Sequence, residues 1–397
     1  MRGRFSICSE RFVVAESQEF ESVSQSDSDS KNSHIDNRAT IAYNDDVIVY
    51  LVVWFWMANL KDVAKKAGVS TATVSRVLSG NYFVSDETKR KVISAVSELN
   101  YQPNGIARSL RNAKTQTIGV LVPDISNPYF MKVISALENY LATYEYNLLI
   151  ASSNENPQKE DSLLKVLFEK RIDGLVLAPS RMEIKPSIQG YFHQKIPVVL
   201  IDRSVNDVAV DTVVEESENS AYELVKHVIS MGHRDIAIIN GRNALSTVIE
   251  REKGYIRALQ DAGVSVRSEY MYRGEYNQQS GYSLGKRLLQ MGSDRPTAVF
   301  CTNNFIALGV MTAANELKLQ IPDDLSVVSF GDLLLPEFVT PRITSVIQSP
   351  EDVGIASAKL MVERIISDVH GNPEEIKLPT HIRLGESVRS LHLVNGK

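Results

Sequence analysis

LKDVAKKAGVSTATVSRVLS, running from Leu60 to Ser79, decides how this chain is read. Val63, Ala64 and Ala67 recur at helical spacing before Gly68-Val69-Ser70 interrupts the pattern. A second short helix over Thr71 to Leu78 follows at once, with Val74, Val77 and Leu78 apolar. Gly68 can adopt the positive φ that a sharp turn between helices demands. Ser70 stands at the N-cap position, its hydroxyl free to accept an orphan N–H of the second helix. Outward positions of that helix are Thr71, Ala72, Ser75 and Arg76, short enough to let the backbone sink into a DNA major groove. Taken alone, the stretch fits either a helix-turn-helix or an ordinary helical hairpin.

The flanks decide between them. Asn59 can cap the first helix, with Asp62 favouring its N-terminal dipole. After Gly80-Asn81, a loop containing Phe83 leads to Ser85, the expected cap of a third helix from Asp86 to Leu99. Its face of Val92, Ala95, Val96 and Leu99 can cover Val63, Val74 and Leu78, while Lys89-Arg90-Lys91 can meet phosphates. Pro103 stops this helix, and Asn104 can cap a short one from Gly105 to Arg111. So short a helix is unstable alone in water and needs a duplex and a twin copy to hold it.

At 397 residues and 43% hydrophobic content, the chain can build two or three real cores. Its net charge of −5 hides an asymmetry. Residues 57–116 hold ten Lys/Arg and four Asp/Glu, hence 10 − 4 = +6. Residues 1–56 hold five and nine, hence −4, which leaves −5 − 6 + 4 = −7 for the remainder. A basic block on an acidic body fits a polyanion-binding head on a module that avoids DNA. Two cysteines, Cys8 and Cys301, make no disulfide framework and point to a reducing cytoplasm.

Residues 1–46 are polar and aperiodic, which reads as disorder. Twelve apolar residues follow, Val47 to Ala58, too few for the about 20 that span a bilayer. Asp45 and Asp46 precede that run, where a signal peptide would be basic. A buried strand or a membrane-touching segment stays open, but we expect 1–56 to be an extension from a mis-called start, with Met57 the true beginning. No membrane association is expected.

The ordered run VAKKAGVSTATVSRVLSG, VSDETKRKV and LNYQPNGIARSLR resembles the lactose/galactose repressor family of bacterial regulators. The resemblance covers roughly residues 58–390. It implies that Thr71, Ala72 and Arg76 read bases and that Leu110 wedges into the minor groove. Chemistry agrees for Arg76, whose fork suits guanine O6/N7, and for Leu110, an apolar residue in a basic, water-exposed segment. Packing of Leu110 against a twin hinge helix is the other reading. The full expected DNA-contacting set is Thr71, Ala72, Thr73, Ser75, Arg76, Lys89, Asn104 and Leu110.

From Thr117 the texture changes to apolar runs separated by amphipathic stretches. The runs are 118–124, 147–153, 174–180, 197–202, 235–241, 298–303 and 325–331, with Pro350 to Ile366 reading as a helix and His381 to Glu386 as a last strand. Such alternation means parallel strands buried on both faces. The expected fold is therefore multi-domain: an all-α head over 57–103, a hinge helix over 104–114, and an α/β two-lobed body over 117–390. By the resemblance that body is similar to periplasmic sugar-binding proteins. One lobe would hold 117–216 and 345–372, the other 217–344 and 378–390. Ligands bind such sheets outside the carboxyl ends of the strands. The expected effector contacts are Asn127, Tyr129, Phe130, Asp202, Arg251, Tyr276, Asn303 and Asp332, with Arg203, Arg242 and Asn304 beside them. The family places an effector-gripping arginine at Arg251; a surface arginine is the alternative. Tyr276 suits stacking on a sugar face, or else is a core aromatic.

One departure matters. Where the family reads Gly-Phe-Asp-Asp, this chain reads Ser329-Phe330-Gly331-Asp332, and Asn304 stands where Asp is common. Losing acceptors while keeping Arg251 and Arg242 favours a sugar acid or sugar phosphate. An enzyme is disfavoured: there is no Gly-x-Gly-x-x-Gly, and Gly281-x-x-x-Gly285-Lys286 falls short of a phosphate loop. No cofactor or metal site is expected. A secreted binding protein would need a signal peptide, and an architectural protein would leave the two-lobed body unexplained. The expectation is a cytoplasmic, nucleoid-associated homodimeric repressor on palindromic operator DNA, controlled by a carbohydrate-type effector.

Overall fold

The computed structural model describes residues 58–79, 83–101, 114–241, 245–333, 338–366 and 371–392. The readings of residues 1–57 and of Asn104, Leu110 and Arg242 lie outside the described residues. The chain divides into two compact units at Tyr101 and Gln102.

In the first unit, α1 (Leu60–Ala67), α2 (Thr71–Ser79) and α3 (Asp86–Glu98) form a small helical domain. Asn59 and Asp62 make a reciprocal capping box at the start of α1. Gly68 ends it in the left-handed conformation, at φ 68°. The Thr73 N–H donates to Ser70 Oγ at 3.1 Å, so Ser70 caps α2 as its hydroxyl allows. Ser85 caps α3 through the Thr88 N–H. The core is Val63, Ala64, Ala67, Val74, Val92 and Ala95, with Val77, Val96 and Leu99 packed at its margin. Leu78, expected in that core, is at the surface. Val77 and Leu78 compete for the turn after Val74, and Val77 takes the inward place.

The second unit contains two six-stranded sheets. The first has strand order β11-β5-β4-β3-β1-β2, comprising β1 (Thr117–Val122), β2 (Asn147–Ser152), β3 (Gly174–Leu177), β4 (Val198–Ile201), β5 (Asp211–Glu215) and β11 (Glu375–Leu378). The second has order β12-β10-β9-β8-β6-β7, comprising β6 (Ile236–Gly241), β7 (Met271–Gly274), β8 (Ala298–Cys301), β9 (Ser326–Phe330), β10 (Thr344–Ile347) and β12 (His381–Arg383). All pairings are parallel except β10 with β12. Helices α4 (Pro128–Ala142) and α11 (Pro350–Ile366) cover one face of the first sheet, and α5 (Pro157–Glu169) and α6 (Lys185–His193) the other. Likewise α7 (Ser217–Ser230) with α8 (Ser246–Asp261), and α9 (Gln278–Leu289) with α10 (Asn304–Glu316), sandwich the second. Helices on both faces explain why β3, β4, β8 and β9 are apolar runs buried throughout.

Two differences from expectation have physical reasons. Strand β2 is not buried on both faces, because it forms the sheet edge. Residues 345–347 were expected in the first lobe, but they lie in strand β10, which pairs with β9 and β12 and so belongs to the second. The chain crosses between lobes three times, after β5, after β10 and after β11. No helix among the described residues is long and apolar enough to cross a membrane.

Candidate functional site

On the helical unit, Thr71, Ala72 and Arg76 of α2 and Lys89 of α3 are exposed, while Thr73 and Ser75 are half-buried. The Thr73 hydroxyl is 2.9 Å from Ser70 Oγ, so it also serves the cap. Lys91 pairs with Glu87, and Lys66 with Glu98, which spends part of the positive charge within the unit. Short side chains beside an arginine on an exposed helix face can meet base edges in a groove.

In the second unit a cavity of about 780 Å³ opens between the sheets. All eight expected effector residues line it, and so do Arg203, Asn304 and Gly331. They meet there because they follow strand ends: Asp202 after β4, Tyr276 after β7, Asn303 after β8 and Asp332 after β9. Asn127 and Asn303 spend their side-chain oxygens on caps, accepting the N–H of Tyr129 at 3.1 Å and of Phe305 at 2.8 Å. Only their amide groups are left to face a ligand. Tyr129 and Phe130 meet edge to face, with ring centres 5.1 Å apart. Tyr276 donates its hydroxyl to Asn240 Oδ1 at 3.3 Å and lines the cavity.

The charges are mostly matched inside the protein. Arg203 makes a two-pronged pair with Glu155 at 2.8 and 2.6 Å, and Asp202 lies 3.3 Å from its Nε. Asp332 pairs with Arg383, and Lys132 with Glu351. Arg251 differs. It is 5% exposed, and its guanidinium lies 3.8 Å from the Phe330 ring centre. One nitrogen donates to the Thr302 carbonyl at 2.8 Å, and Nε has no hydrogen-bond partner. Among the described cavity residues it is the one cation without a carboxylate at ion-pair distance. A buried guanidinium left part-satisfied has unused capacity to donate to a ligand oxygen.

Burial raises the Asp202 carboxyl above its ordinary range, against the pull of Arg203 and Arg251. Asp202 also holds φ 64°, in the left-handed region that costs a non-glycine residue energy. Burial and then Glu215 push the Tyr129 phenol well up, so it stays a hydroxyl donor. Gly331 is more than a missing carboxylate: at φ 84° it occupies backbone that favours glycine.

Sequence reasoning did not select Phe330, Thr247 or Arg383. Thr247 lies one turn before Arg251 on α8, so helical spacing could have found it. Phe330 and Arg383 become cavity residues only through strand pairing, which leaves no local trace. No group of three or more His, Cys, Asp or Glu among the described residues is placed to hold a metal.

Comparison with known proteins follows the same division. Residues 59–104 match the family model described as bacterial regulatory proteins, lacI family. Residues 115–386 match the model for periplasmic binding proteins and the sugar binding domain of the LacI family. The HTH-type transcriptional repressor PurR of Actinobacillus pleuropneumoniae serotype 3 is 33% identical over 337 residues, covering 85% of this chain and 100% of the relative. A structure of the transcriptional regulator CelR in complex with cellobiose is 27% identical, with TM-score 0.63, covering 83% of this chain and 99% of that one. A lac repressor dimer bound to operator and the anti-inducer ONPF shares the fold at TM-score 0.73 and 23% identity, covering 84% and 99%.

Proposed function

Because the chain belongs to the LacI family and is a DNA-binding transcriptional repressor rather than an enzyme, we propose that its operator affinity is set by an oxygen-rich, anionic carbohydrate bound between the two lobes. A sugar acid or sugar phosphate is the favoured class. The observation that carries this reading is Arg251: buried, stacked on Phe330, with Nε lacking a hydrogen-bond partner and no carboxylate at ion-pair distance among the described residues. An arriving carboxylate or phosphate would complete its hydrogen bonds and neutralise it. Tyr129, Phe130 and Tyr276 line the cavity with aromatic rings, which suit contact with the C–H groups of a sugar. The complex of the relative CelR with cellobiose, a neutral sugar, supports a carbohydrate as the ligand class.

Operator contacts fall to Thr71, Ala72, Thr73, Ser75, Arg76 and Lys89, joined by Asn104 and Leu110. Arg76 reads a base, and Lys89 neutralises a phosphate. The functional form is a homodimer on a palindromic operator, for which the exposed Leu149 and Ile150 of edge strand β2 offer an apolar surface. Effector binding changes lobe closure and releases the operator, because a ligand shifts affinity only through its preference between two states.

A thermal-shift screen of sugar acids, sugar phosphates, neutral sugars and purine bases tests the ligand class. At a hundredfold excess over Kd, a bound ligand stabilises by about 2.7 kcal/mol, visible as a shift of a few degrees. Stabilisation by neutral sugars or purines alone would overturn the anionic reading and leave the repressor standing.

A further inference from the structure

Glu215 ends β5 at the first lobe crossing and is 4% exposed. Its Oε2 accepts the Tyr129 hydroxyl at 2.9 Å and Gln348 Nε2 at 2.6 Å. Its Oε1 accepts the Ser349 N–H at 2.6 Å. Gln348 and Ser349 form the second crossing, between β10 and α11. The next residue, Glu216, donates its N–H to Leu378 O at 3.0 Å, where the third crossing begins. Ser220 and Thr380 hydrogen-bond through their hydroxyls across the same junction. All three crossings therefore meet at Glu215 and its neighbour.

Two of the three donors on this carboxylate, Tyr129 and Gln348, also line the cavity. A buried carboxylate is costly unless its lone pairs are filled, so the three donors act as a set. Moving either cavity-facing donor disturbs the acceptor that also holds the Ser349 backbone. Burial raises the Glu215 carboxyl above its ordinary range, and the Ser349, Gln348 and Tyr129 donors oppose that rise.

We propose that Glu215 is a positioning residue that ties the cavity wall to the lobe crossings, so that occupancy felt at Tyr129 and Gln348 becomes a change in lobe geometry. The proposal goes beyond the ligand assignment and holds whichever molecule the cavity takes.

A double-mutant cycle in the full-length, ligand-free protein tests it. Tyr129→Phe deletes the hydroxyl donated from α4, and Gln348→Met removes the amide donated from the second crossing. Spin labels at Ser162→Cys on α5 and Asn315→Cys on α10, both exposed, report the interlobe distance in a Cys8→Ser background. Cys301 is buried and should not take label. Each single variant should widen the interlobe distance distribution, and the double variant should widen it no further than the larger single effect. Tyr140→Phe, which removes a hydroxyl from the same helix away from Glu215, should leave the width unchanged. Widths equal to wild type, or effects of the two variants that simply add, would overturn the proposal. If Tyr129→Phe fails to fold, Gln348→Met decides alone: a wild-type width contradicts the tie, and a widened one supports it. None of these outcomes depends on finding the effector.

Discussion

The Arg251 guanidinium lies 3.8 Å above the centre of the Phe330 ring, while its Nη1 donates to the Thr302 carbonyl at 2.8 Å. The ring attracts the cation through its quadrupole without using its N–H donors, so the guanidinium that lines the cavity keeps donors to offer a ligand. Arg251→Ala should therefore abolish the thermal shift given by an anionic sugar, a loss of about 2.7 kcal/mol at a hundredfold excess over Kd. Operator binding without effector should be unchanged. A shift of full size in the variant would remove Arg251 from ligand binding.

Gly331 gives a second prediction, because its φ of 84° suits glycine and a Cβ there would lie 3.1 Å from Gln348 Oε1. Gly331→Ala should cost roughly 1–2 kcal/mol of stability from backbone strain alone. Gly331→Asp adds a carboxylate to the cavity, so an anion's response should fall beyond what Gly331→Ala explains. Equal anion responses in the two variants would show that strain, not charge, governs this position.

On the helical unit, Arg76→Ala should cost roughly 1–3 kcal/mol at the operator and relax preference at one base pair per half-site. Lys89→Ala should weaken specific and random DNA alike, and flatten the dependence of affinity on salt. Equal loss on both DNAs for Arg76→Ala would take it out of the base-reading role.

His233 gives a pH prediction. It is 1% exposed, with Nδ1 2.8 Å from Thr297 Oγ1 and Nε2 2.9 Å from the Arg389 carbonyl. Burial lowers its pKa from 6.5, with the Arg389 charge pulling the same way against the carbonyl bond. A depressed folded-state pKa gives stability that is present above the unfolded value and lost as pH falls through the folded one. The stability gained from His233 over His233→Asn should thus shrink below about pH 6.5. Denaturant melts of both proteins from pH 8 to 5 check this. The raised carboxyls of Glu160, Asp202 and Glu215 titrate in both and cancel in the difference. A difference that stays constant with pH would show that His233 carries no such linkage.

How much was legible in the sequence depended on whether the signal was local. Gly68, Ser70 and Ser85 are turn and cap residues, and they marked the three helices of the head to within a residue or two. Cavity residues such as Asp202 and Asn303 were legible because they close or follow apolar strand runs, whereas Tyr276 was legible only as an aromatic suited to a sugar face. Short strands β5, β7, β10 and β11, of four or five residues, lacked enough pattern to be seen. Helix α9, QQSGYSLGKRLL, was missed because its first two turns are polar and glycine-containing. The contacts of Glu215 with Gln348 and Ser349 join positions 133 and 134 residues apart, a separation no periodicity can encode. Gly331 was legible as a lost carboxylate, but its backbone conformation was not.

A ligand held by Arg251 is expected to set the affinity of the head for DNA. Fluorescence anisotropy of labelled operator, titrated with full-length protein with and without the anionic sugar that gives the largest thermal shift, tests it most directly. The predicted result is an effector-induced weakening of operator binding by roughly 5- to 150-fold, the usual range of allosteric coupling, that disappears in Arg251→Ala. Tighter binding would reverse only the sign of control. An operator affinity indifferent to every ligand that stabilises the protein, or a response that survives intact in Arg251→Ala, would contradict the claim.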